Sequence, residues 1–231
     1  MGDLKGKTAL VTGASRGIGR GIALALGAAG ATVAVNYATN AEAAAATVRD
    51  IEAAGGQAVA KQANLEGAGA PKALAEAVSA ELGRRTGDPG LDILVNNIGR
   101  AAAGTVAATS PQVFDEMVGV NLRAPFLLTG AVVPALRDNG RVVIVTSTAA
   151  RLASPDFAAY CVAKGALDTL VKVLAKELAP RRITVNAVSP GYTRTDQVAA
   201  VVGDPAKAKA LADATLFGRL GEPEDLGDFV A

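Results

Sequence analysis

A glycine-rich turn near the amino terminus constrains the fold of this chain more than any other feature. Apolar residues 8–11 before the turn predict a buried strand, and the broad apolar face of residues 18–26 behind it predicts a helix. Gly13 permits a tight turn, Gly17 lets the backbone approach a pyrophosphate, and Gly19 lets the helix pack closely on the strand. This order of strand, turn and helix predicts a dinucleotide-binding βαβ unit, in which the helix N-terminus faces the phosphates.

Strands and helices alternate along the rest of the chain. The pattern predicts strands at residues 31–37, 57–62, 91–96, 141–146 and 183–188, and helices at 40–54, 70–85, 110–136, 157–178 and from 223 onward. The strands are continuous apolar runs, as expected when helices cover both faces of a parallel sheet. No linker or internal repeat interrupts the pattern. We therefore predict an α/β fold, a Rossmann-type doubly wound parallel sheet, as a single domain over residues 1–231.

Composition and charge exclude several classes of protein. Of 231 residues, 23 are Lys or Arg and 22 are Asp or Glu, so no global field attracts nucleic acid or an anionic membrane. No apolar stretch approaches the ~20 residues of a membrane helix, and the amino terminus lacks the apolar core of a signal peptide. The single cysteine, Cys161, excludes an internal disulfide and favours a cytoplasmic location. The absence of histidine excludes a His-ligated metal site and a Ser-His-Asp triad, and no metal site is predicted.

A tyrosine and a lysine stand four residues apart in the predicted helix 157–178. Tyr160 and Lys164 would share one helix face and lie within reach of each other. An ammonium ~4 Å from a phenol would lower its pKa, near ~10 in isolation, by up to about 3 units. Taken alone, such a pair more often marks a solvated helix face. Ser147 follows the fifth strand, 13 residues before Tyr160, at the carboxyl end where ligands bind in open α/β sheets, so an acid–base site is the alternative.

Polar motifs also follow the neighbouring strands. Asn96-Asn97-Ile98-Gly99 follows the fourth strand, Asn121 lies in the next helix, and Pro190-Gly191 follows the sixth, with Thr195 beyond. Ligands bind at these carboxyl ends in open α/β sheets. Together with the spacing Thr-Gly-x-x-x-Gly-x-Gly and the Tyr-x-x-x-Lys pair, these motifs resemble the short-chain dehydrogenase/reductase family. Overall the chain is most similar to its 3-oxoacyl-acyl-carrier-protein reductase-like branch.

The resemblance implies a role for each catalytic residue. Tyr160 would be the general acid/base, Lys164 would lower its pKa and hydrogen-bond the nicotinamide ribose, Ser147 would donate to the substrate oxygen, and Asn121 would hold a proton-relaying water. Purely structural roles remain open, since Ser147 could cap a turn and Asn121 could satisfy a backbone group. The implied cofactor contacts are Gly13, Ser15, Arg16, Gly17, Ile18, Gly19, Asn36, Asn64, Leu65, Asn97, Gly99, Tyr160, Lys164, Pro190, Gly191, Thr193 and Thr195.

The end of the second strand predicts which dinucleotide binds. An acidic residue at this point, about 20 residues beyond the glycines, would accept hydrogen bonds from the ribose of NAD. Here the strand ends Val35-Asn36-Tyr37-Ala38, and no carboxylate occurs through Asn40. Arg16, in the glycine turn, offers a planar fork that suits a 2′-phosphate, although it could also be a solvated turn residue. We therefore favour NADP(H), with NAD(H) as the alternative.

The predicted function is reduction of a ketone, a 3-oxoacyl or similar carbonyl group, to a secondary alcohol. Residues 100–105, 148–157 and 192–217 would shape the pocket for this small-molecule substrate. Arg100, Arg151 and Arg194 are either contacts to an anionic or phosphopantetheine-bearing substrate or solvated loop residues. Two alternatives on the same fold are a dinucleotide-sensing regulatory protein, which would need no proton donor, and a catalytically idle subunit of an assembly.

The sequence departs from the family pattern at three points. Ile98 replaces the usual alanine, Asn64 replaces an acidic residue, and the chain stops at Ala231, before the family's usual seventh strand, so six strands are predicted.

Family members of this length are commonly homodimers or homotetramers, built here on helices 107–136 and 157–178. On the outer faces of these helices we expect exposed apolar residues, among them Phe126, Leu170 and Val173.

Overall fold

A six-stranded parallel sheet forms the centre of the computed structural model, which describes residues 3–199 and 203–231. The strand order is β3-β2-β1-β4-β5-β6. The strands are β1 (Thr8–Val11), β2 (Thr32–Tyr37), β3 (Gln57–Gln62), β4 (Leu91–Asn96), β5 (Leu136–Val145) and β6 (Thr184–Val188). The order reverses beside β1, so the topological switch point where nucleotides bind in such sheets lies between β1 and β4. The predicted fold class is confirmed.

Helices cover both faces of the sheet. They are α1 (Gly17–Ala28), α2 (Ala41–Ala53), α3 (Ala70–Thr86), α4 (Pro111–Val118), α5 (Ala124–Val132), α6 (Ala149–Leu152), α7 (Ala158–Leu178), α8 (Pro205–Asp213) and α9 (Pro223–Val230). Several begin at the residues that capping rules predict: the Asn40 side chain accepts from Ala43 N, and that of Ser110 accepts from Val113 N. Most predicted boundaries are correct within one or two residues.

Two apolar clusters, one on each face of the sheet, form the core. Leu10, Leu94 and Ile144 face α3, α5 and α7, whereas their neighbours Val11 and Val95 face α1 and α2. Side chains alternate between the faces because successive residues of a strand point in opposite directions. Each fully buried leucine or valine contributes about 1.5–3 kcal/mol, so both faces of the sheet stabilise the fold.

The fifth strand begins five residues earlier than predicted. Its pairing with β4 changes register: Leu91 lies opposite Leu136, but Ile93 lies opposite Arg141. Residues 137–140 form an irregularity between these two pairs, and Asn139 adopts a positive φ of 64°. Residues 138–140, an Asp-Asn-Gly sequence typical of turns, therefore lie inside the strand rather than before it.

The predicted helix 110–136 is continuous but irregular. Between α4 and α5, residues Gly119–Arg123 form a π-helical turn, and Val133–Ala135 form a final 3-10 turn. The helical segment Pro111–Ala135 is long enough to cross a membrane, and an 18-residue window within it is apolar enough by composition, with a mean hydropathy of 1.3. The chain therefore contains an apolar stretch of nearly that length, and the expectation that it contains none is wrong. In this fold 44% of the 18-residue apolar window is buried inside the protein, and two of its residues, Leu128 and Val132, pack into the core.

The exposed face of the long helices differs from the prediction at one residue. Phe126 and Val173 are exposed, at 56% and 52%, as expected. Leu170 is only 7% exposed and belongs to the core, so the expectation for this residue is wrong. On α7, Leu170 lies three residues after the buried Leu167 and four before Leu174, on the stripe that faces the sheet.

Candidate active site

Two asparagines hold the glycine turn at the carboxyl end of β1. Gly13 and Gly17 have positive φ angles, 60° and 55°, which glycine adopts without strain. The Asn36 Oδ1 atom accepts a hydrogen bond from Gly13 N at 3.3 Å, and Asn97 Nδ2 donates to Thr12 O at 2.9 Å. The turn is therefore fixed between β2 on one side and β4 on the other.

The N-terminus of α1 is open toward this turn. Arg16 is the residue that precedes the helix. Within the described residues, no side chain caps this end with a hydrogen bond, and the first turn contains no acidic residue. The first N–H groups of a helix have no partner within the helix, and the helix dipole makes this end positive. Such an arrangement suits a pyrophosphate.

Three residues predicted to contact the cofactor have other surroundings. Asn36 is 1% exposed, and its amide donates to the carbonyls of Lys61 and Ala63, both at 3.2 Å. Leu65 is fully buried in the core, whereas Asn64 is exposed and its Oδ1 atom accepts from the backbone of residue 66. The structure therefore does not support direct ligand contacts by the side chains of Asn36 and Leu65.

The segment after β6 lies against the glycine turn. A Cβ atom on Gly17 would approach Thr195 Cγ2 to 3.2 Å, so the two segments are in contact. Arg16 Nη1 lies 3.5 Å from Asp196 Oδ2, and both side chains are well exposed. Thr193 is buried, and its hydroxyl donates to Gly191 O at 3.2 Å. The guanidinium expected at a 2′-phosphate thus has a carboxylate partner in this structure.

Ser147, Tyr160 and Lys164 meet beyond the carboxyl end of β5. The Ser147 hydroxyl hydrogen-bonds the Tyr160 side chain, which lowers the pKa of the phenol, but burial raises it more, so the net shift is upward. Lys164 is 2% exposed, and burial lowers its pKa to about 8. Its Nζ atom donates to Val145 O at 2.8 Å.

Lys164 is not among the groups that shift the pKa of Tyr160 in this structure. A buried phenolate loses its hydration, which opposes ionisation, and the lysine ammonium is directed to the Val145 carbonyl. Tyr160 is therefore a neutral phenol at pH 7.

Asn121 lies inside the π-helical turn, where it joins the long helix to the segment after β4. Its Oδ1 atom accepts from Arg100 N at 3.2 Å, and its Nδ2 atom donates to Arg100 O at 2.9 Å. A Cβ atom on Gly99 would lie 2.8 Å from Asn121 Oδ1 and 3.0 Å from Lys164 Nζ. A glycine at this position therefore lets Asn121 and Lys164 approach the same point. π-helical turns often occur at functional sites.

Hydrogen bonds between strand ends fix the remaining loops. The backbone N and the hydroxyl of Thr148 donate to Pro190 O, at 3.0 and 3.2 Å, which joins the turn containing Ser147 to the end of β6. Gly104 N donates to Asp156 O at 2.7 Å, which joins the segments after β4 and β5. The predicted catalytic residues are thus brought together by three adjacent strand ends.

Two side chains that organise the site, those of Thr12 and Asp196, were not predicted from the sequence. The Thr12 hydroxyl accepts from the backbone N atoms of Asn97 and Ile98, at 2.9 and 3.1 Å. A polar residue at the end of an apolar strand, just before the glycines, was an available signal for this role. Asp196, 180 residues from Arg16, carried no local signal for its ion pair.

Comparison with known proteins agrees with this geometry. Residues 13–231 match a family model described as enoyl-(acyl carrier protein) reductase. The chain belongs to the short-chain dehydrogenase/reductase family. It is 35% identical to the short chain dehydrogenase/reductase nsrJ of Aspergillus novofumigatus, covering 99% of this chain and 89% of the relative. As the family assignment implies, the protein is an oxidoreductase.

Two further relatives carry more specific names. The chain is 37% identical to a 3-oxoacyl-[acyl-carrier-protein] reductase of Synechocystis, covering 98% of this chain and 88% of the relative. The crystal structure of the angucycline C-6 ketoreductase LanV with bound NADP superposes with a TM-score of 0.94 at 45% identity, covering 99% of this chain and 88% of LanV.

Proposed function

We propose that this protein reduces a ketone to a secondary alcohol with NADPH. The observation that carries the proposal is the meeting of the Tyr160 and Ser147 hydroxyl groups, hydrogen-bonded to each other beside the buried Lys164. Two hydroxyl groups that meet at one point can both donate to a single carbonyl oxygen. The ketoreductase and 3-oxoacyl reductase names of the relatives support the same reaction.

The residues present fit a dinucleotide. The glycine turn and the open N-terminus of α1 would hold the pyrophosphate, and Thr195 beside Gly17 would cover it from the other side. Asn36 and Asn97 would act indirectly, because their amides hold the turn rather than the ligand. Arg16 would bind the 2′-phosphate after leaving Asp196, and the NADP in LanV supports this choice of cofactor.

The proposed reaction needs one hydride and one proton. Bound NADPH would supply the hydride to the carbonyl carbon and thereby become NADP⁺. As the C=O π bond breaks, its electron pair moves to oxygen, and the Tyr160 hydroxyl donates the proton that completes the alcohol. Ser147 would stabilise the charge developing on the oxygen by donating a hydrogen bond.

Lys164 and Asn121 would return a proton to Tyr160 after each turnover. Lys164 has a pKa lowered to about 8, which lets its amine give up and regain a proton near neutral pH. Asn121 lies close to the same point across Gly99, where a relaying water would be held. Lys164 would leave the Val145 carbonyl, or share its hydrogens with it, to reach the nicotinamide ribose.

The first test is oxidation of NADPH, followed by its absorbance, with a panel of ketones. A ketoreductase will oxidise NADPH only when a ketone is added, and the alcohol product will appear in equal amount. A dinucleotide-sensing protein or an idle assembly subunit would bind NADPH without oxidising it under any of these conditions. An enoyl reductase would oxidise NADPH with a 2-enoyl thioester and leave the ketones unreduced.

A further inference from the structure

The basic side chains in the segments that flank the site are paired with carboxylates. The segments that follow β4, β5 and β6, here called the mouth segments, are residues 99–109, 147–157, 190–199 and 203–221. Their ion pairs are Arg100 with Glu66 (2.9 Å) and Glu116 (3.3 Å), Arg151 with Asp168 (3.6 Å), Arg194 with Glu222 (3.0 Å), Lys207 with Asp204 (3.7 Å), Lys209 with Asp213 (2.6 Å) and Arg219 with Asp225 (2.7 Å). Every Lys and Arg of these described segments therefore has an acidic partner.

This pairing bears on the expected contacts of Arg100, Arg151 and Arg194 with an anionic substrate. An acyl carrier protein presents a phosphodiester on an acidic surface, and unpaired positive charge at the mouth would attract it. Exposed ion pairs are weak and can exchange partners. The carboxylates nevertheless stay at the mouth whichever partner each arginine holds, and Asp156 adds a further negative charge. The mouth segments consequently offer an anionic carrier no net attraction.

The same segments expose large apolar side chains. They are Val106, Leu152, Phe157, Tyr192, Leu216 and Phe217, half of the twelve large exposed hydrophobic residues in the described part of the chain. Leu216 and Phe217 are almost completely exposed, at 104% and 90%. They precede Gly221, whose backbone forms hydrogen bonds with the backbones of Tyr192 and Arg194 and so joins the two ends of this part of the chain. Exposed apolar residues concentrated around a site indicate an apolar ligand.

We propose that the substrate is a free, uncharged ketone with an apolar body, and that attachment to a carrier protein contributes nothing to its recognition. This inference rests on the proposed function, since it names the substrate of the same site. The charges and apolar residues of the mouth segments thus favour a free ketone over the phosphopantetheine-bearing 3-oxoacyl substrate expected from the sequence.

Three substrates separate apolar recognition from carrier recognition. They are α-tetralone, the neutral thioester acetoacetyl-N-acetylcysteamine, and the same acetoacetyl group on an acyl carrier protein, each with saturating NADPH. We expect the largest kcat/KM for α-tetralone. The two thioesters should agree within about threefold, and the carrier-bound form should gain nothing when NaCl is lowered from 300 to 50 mM.

Two sets of variants locate the recognition. Phe217→Ser should lower kcat/KM for α-tetralone at least about fivefold and leave the KM for NADPH unchanged. Phe229→Ser is the matched control, because Phe229 is also exposed but lies on α9, outside the mouth segments. The double variant Arg151→Gln/Arg194→Gln should leave kcat/KM unchanged for all three substrates.

The possible failures are distinguishable. Reduction of ketones combined with a tenfold or larger, salt-sensitive advantage of the carrier-bound thioester, lost in the double arginine variant, would overturn the substrate inference alone. Equal losses for Phe217→Ser and Phe229→Ser would also overturn it. An absence of NADPH oxidation with every ketone and thioester would refute the proposed function and the inference with it.

Discussion

At the scale of single residues, the site buries the side chain of a lysine, and burial disfavours the positive charge of its ammonium group. Lys164 is almost fully buried, and burial alone lowers its pKa from 10.5 to about 8. A shift of this size corresponds to about 3 to 4 kcal/mol at ~1.4 kcal/mol per pKa unit. The protein therefore loses stability in order to hold an amine beside Tyr160, which is a common compromise at functional sites.

Replacement of Lys164 by methionine should stabilise the protein and inactivate it. Between pH 8 and 10.5 the unfolded chain keeps the lysine proton that the folded protein has released, so the Lys164 contribution to the free energy of unfolding rises with pH in this window. We expect Lys164→Met to gain about 1–3 kcal/mol at pH 7 and progressively less toward pH 10.5. Urea unfolding of both proteins at each pH measures this. An equal difference at every pH would contradict the buried, pKa-shifted lysine.

Gly99 provides a test of how closely Asn121 and Lys164 must approach. A Cβ atom there would lie 2.8 Å from Asn121 Oδ1 and 3.0 Å from Lys164 Nζ, so Gly99→Ala should displace one of them. We expect a loss in kcat of at least about tenfold with little change in thermal unfolding. Gly165→Ala is the control, because a Cβ atom on this α7 residue meets nothing within 4 Å. Comparable kcat values for the two variants would argue against the proposed relay.

Arg16 provides a test of cofactor choice. Its exposed ion pair with Asp196 is weak, so a 2′-phosphate can displace the carboxylate. We expect the wild-type enzyme to prefer NADPH to NADH by at least about tenfold in kcat/KM, which is the smallest ratio that a charge-assisted hydrogen bond normally gives. Arg16→Ala should remove most of this preference. Steady-state kinetics with both cofactors and one ketone measure the ratio. Equal use of NADH by the wild-type enzyme, or an unchanged ratio in Arg16→Ala, would exclude this role.

The identity of the clustered residues was predictable, but their protonation was not. The spacing of Tyr160 and Lys164 placed both on one helix face, and the family resemblance predicted that they meet Ser147 at the end of the fifth strand. The upward pKa shift of Tyr160 depends on burial and on the direction of the lysine ammonium, which are properties of the packed structure.

At the scale of elements, the long helix that contains Asn121 shows the limit of pattern reasoning. Its start at Ser110-Pro111 followed from capping rules and is confirmed. The π-helical turn at Gly119–Arg123 was not predicted, since helix periodicity does not register a single wide turn. The turn is stabilised from outside the helix, by the hydrogen bonds of Asn121 with the backbone of Arg100.

The outer face of the long helices should mediate self-association. Phe114, Phe126, Val162 and Val173 are exposed on α4, α5 and α7, and large exposed apolar areas are rare on monomers. We expect a homodimer or homotetramer, and Phe126→Asp should shift it toward monomer at micromolar concentration. Sedimentation velocity measures the shift.

An exposed apolar residue elsewhere serves as the control for self-association. Val106→Asp lies outside these helices and should leave the sedimentation coefficient unchanged. A wild-type protein that sediments as a stable monomer would refute the predicted assembly.

At the scale of the whole molecule, parallel topology explains why so much of the site followed from the sequence. Motifs from Thr12 to Thr195 converge because parallel strands end at one edge of the sheet, so a polar motif after each strand predicts a common site. The charge balance of the mouth could not be predicted in this way. Arg100, Arg151 and Arg194 find partners 16 to 34 residues away along the chain.

The pH dependence of the intact enzyme follows from the protonation of Tyr160. Reduction requires the protonated phenol, and burial raises its pKa above the usual value of 10.0. At saturating NADPH, the contribution of Tyr160 to kcat for ketone reduction should therefore be constant from pH 6 to 9 and decline only above that range.

Removal of the Tyr160 hydroxyl tests the central claim most directly. Tyr160→Phe keeps the ring and removes the proton donor, so turnover of a ketone by NADPH should fall at least ~10²-fold while the Kd for NADPH, measured by fluorescence titration, stays within about twofold of the wild-type value. A Tyr160→Phe enzyme that folds, binds NADPH and reduces the ketone at a rate near that of the wild type would contradict the account.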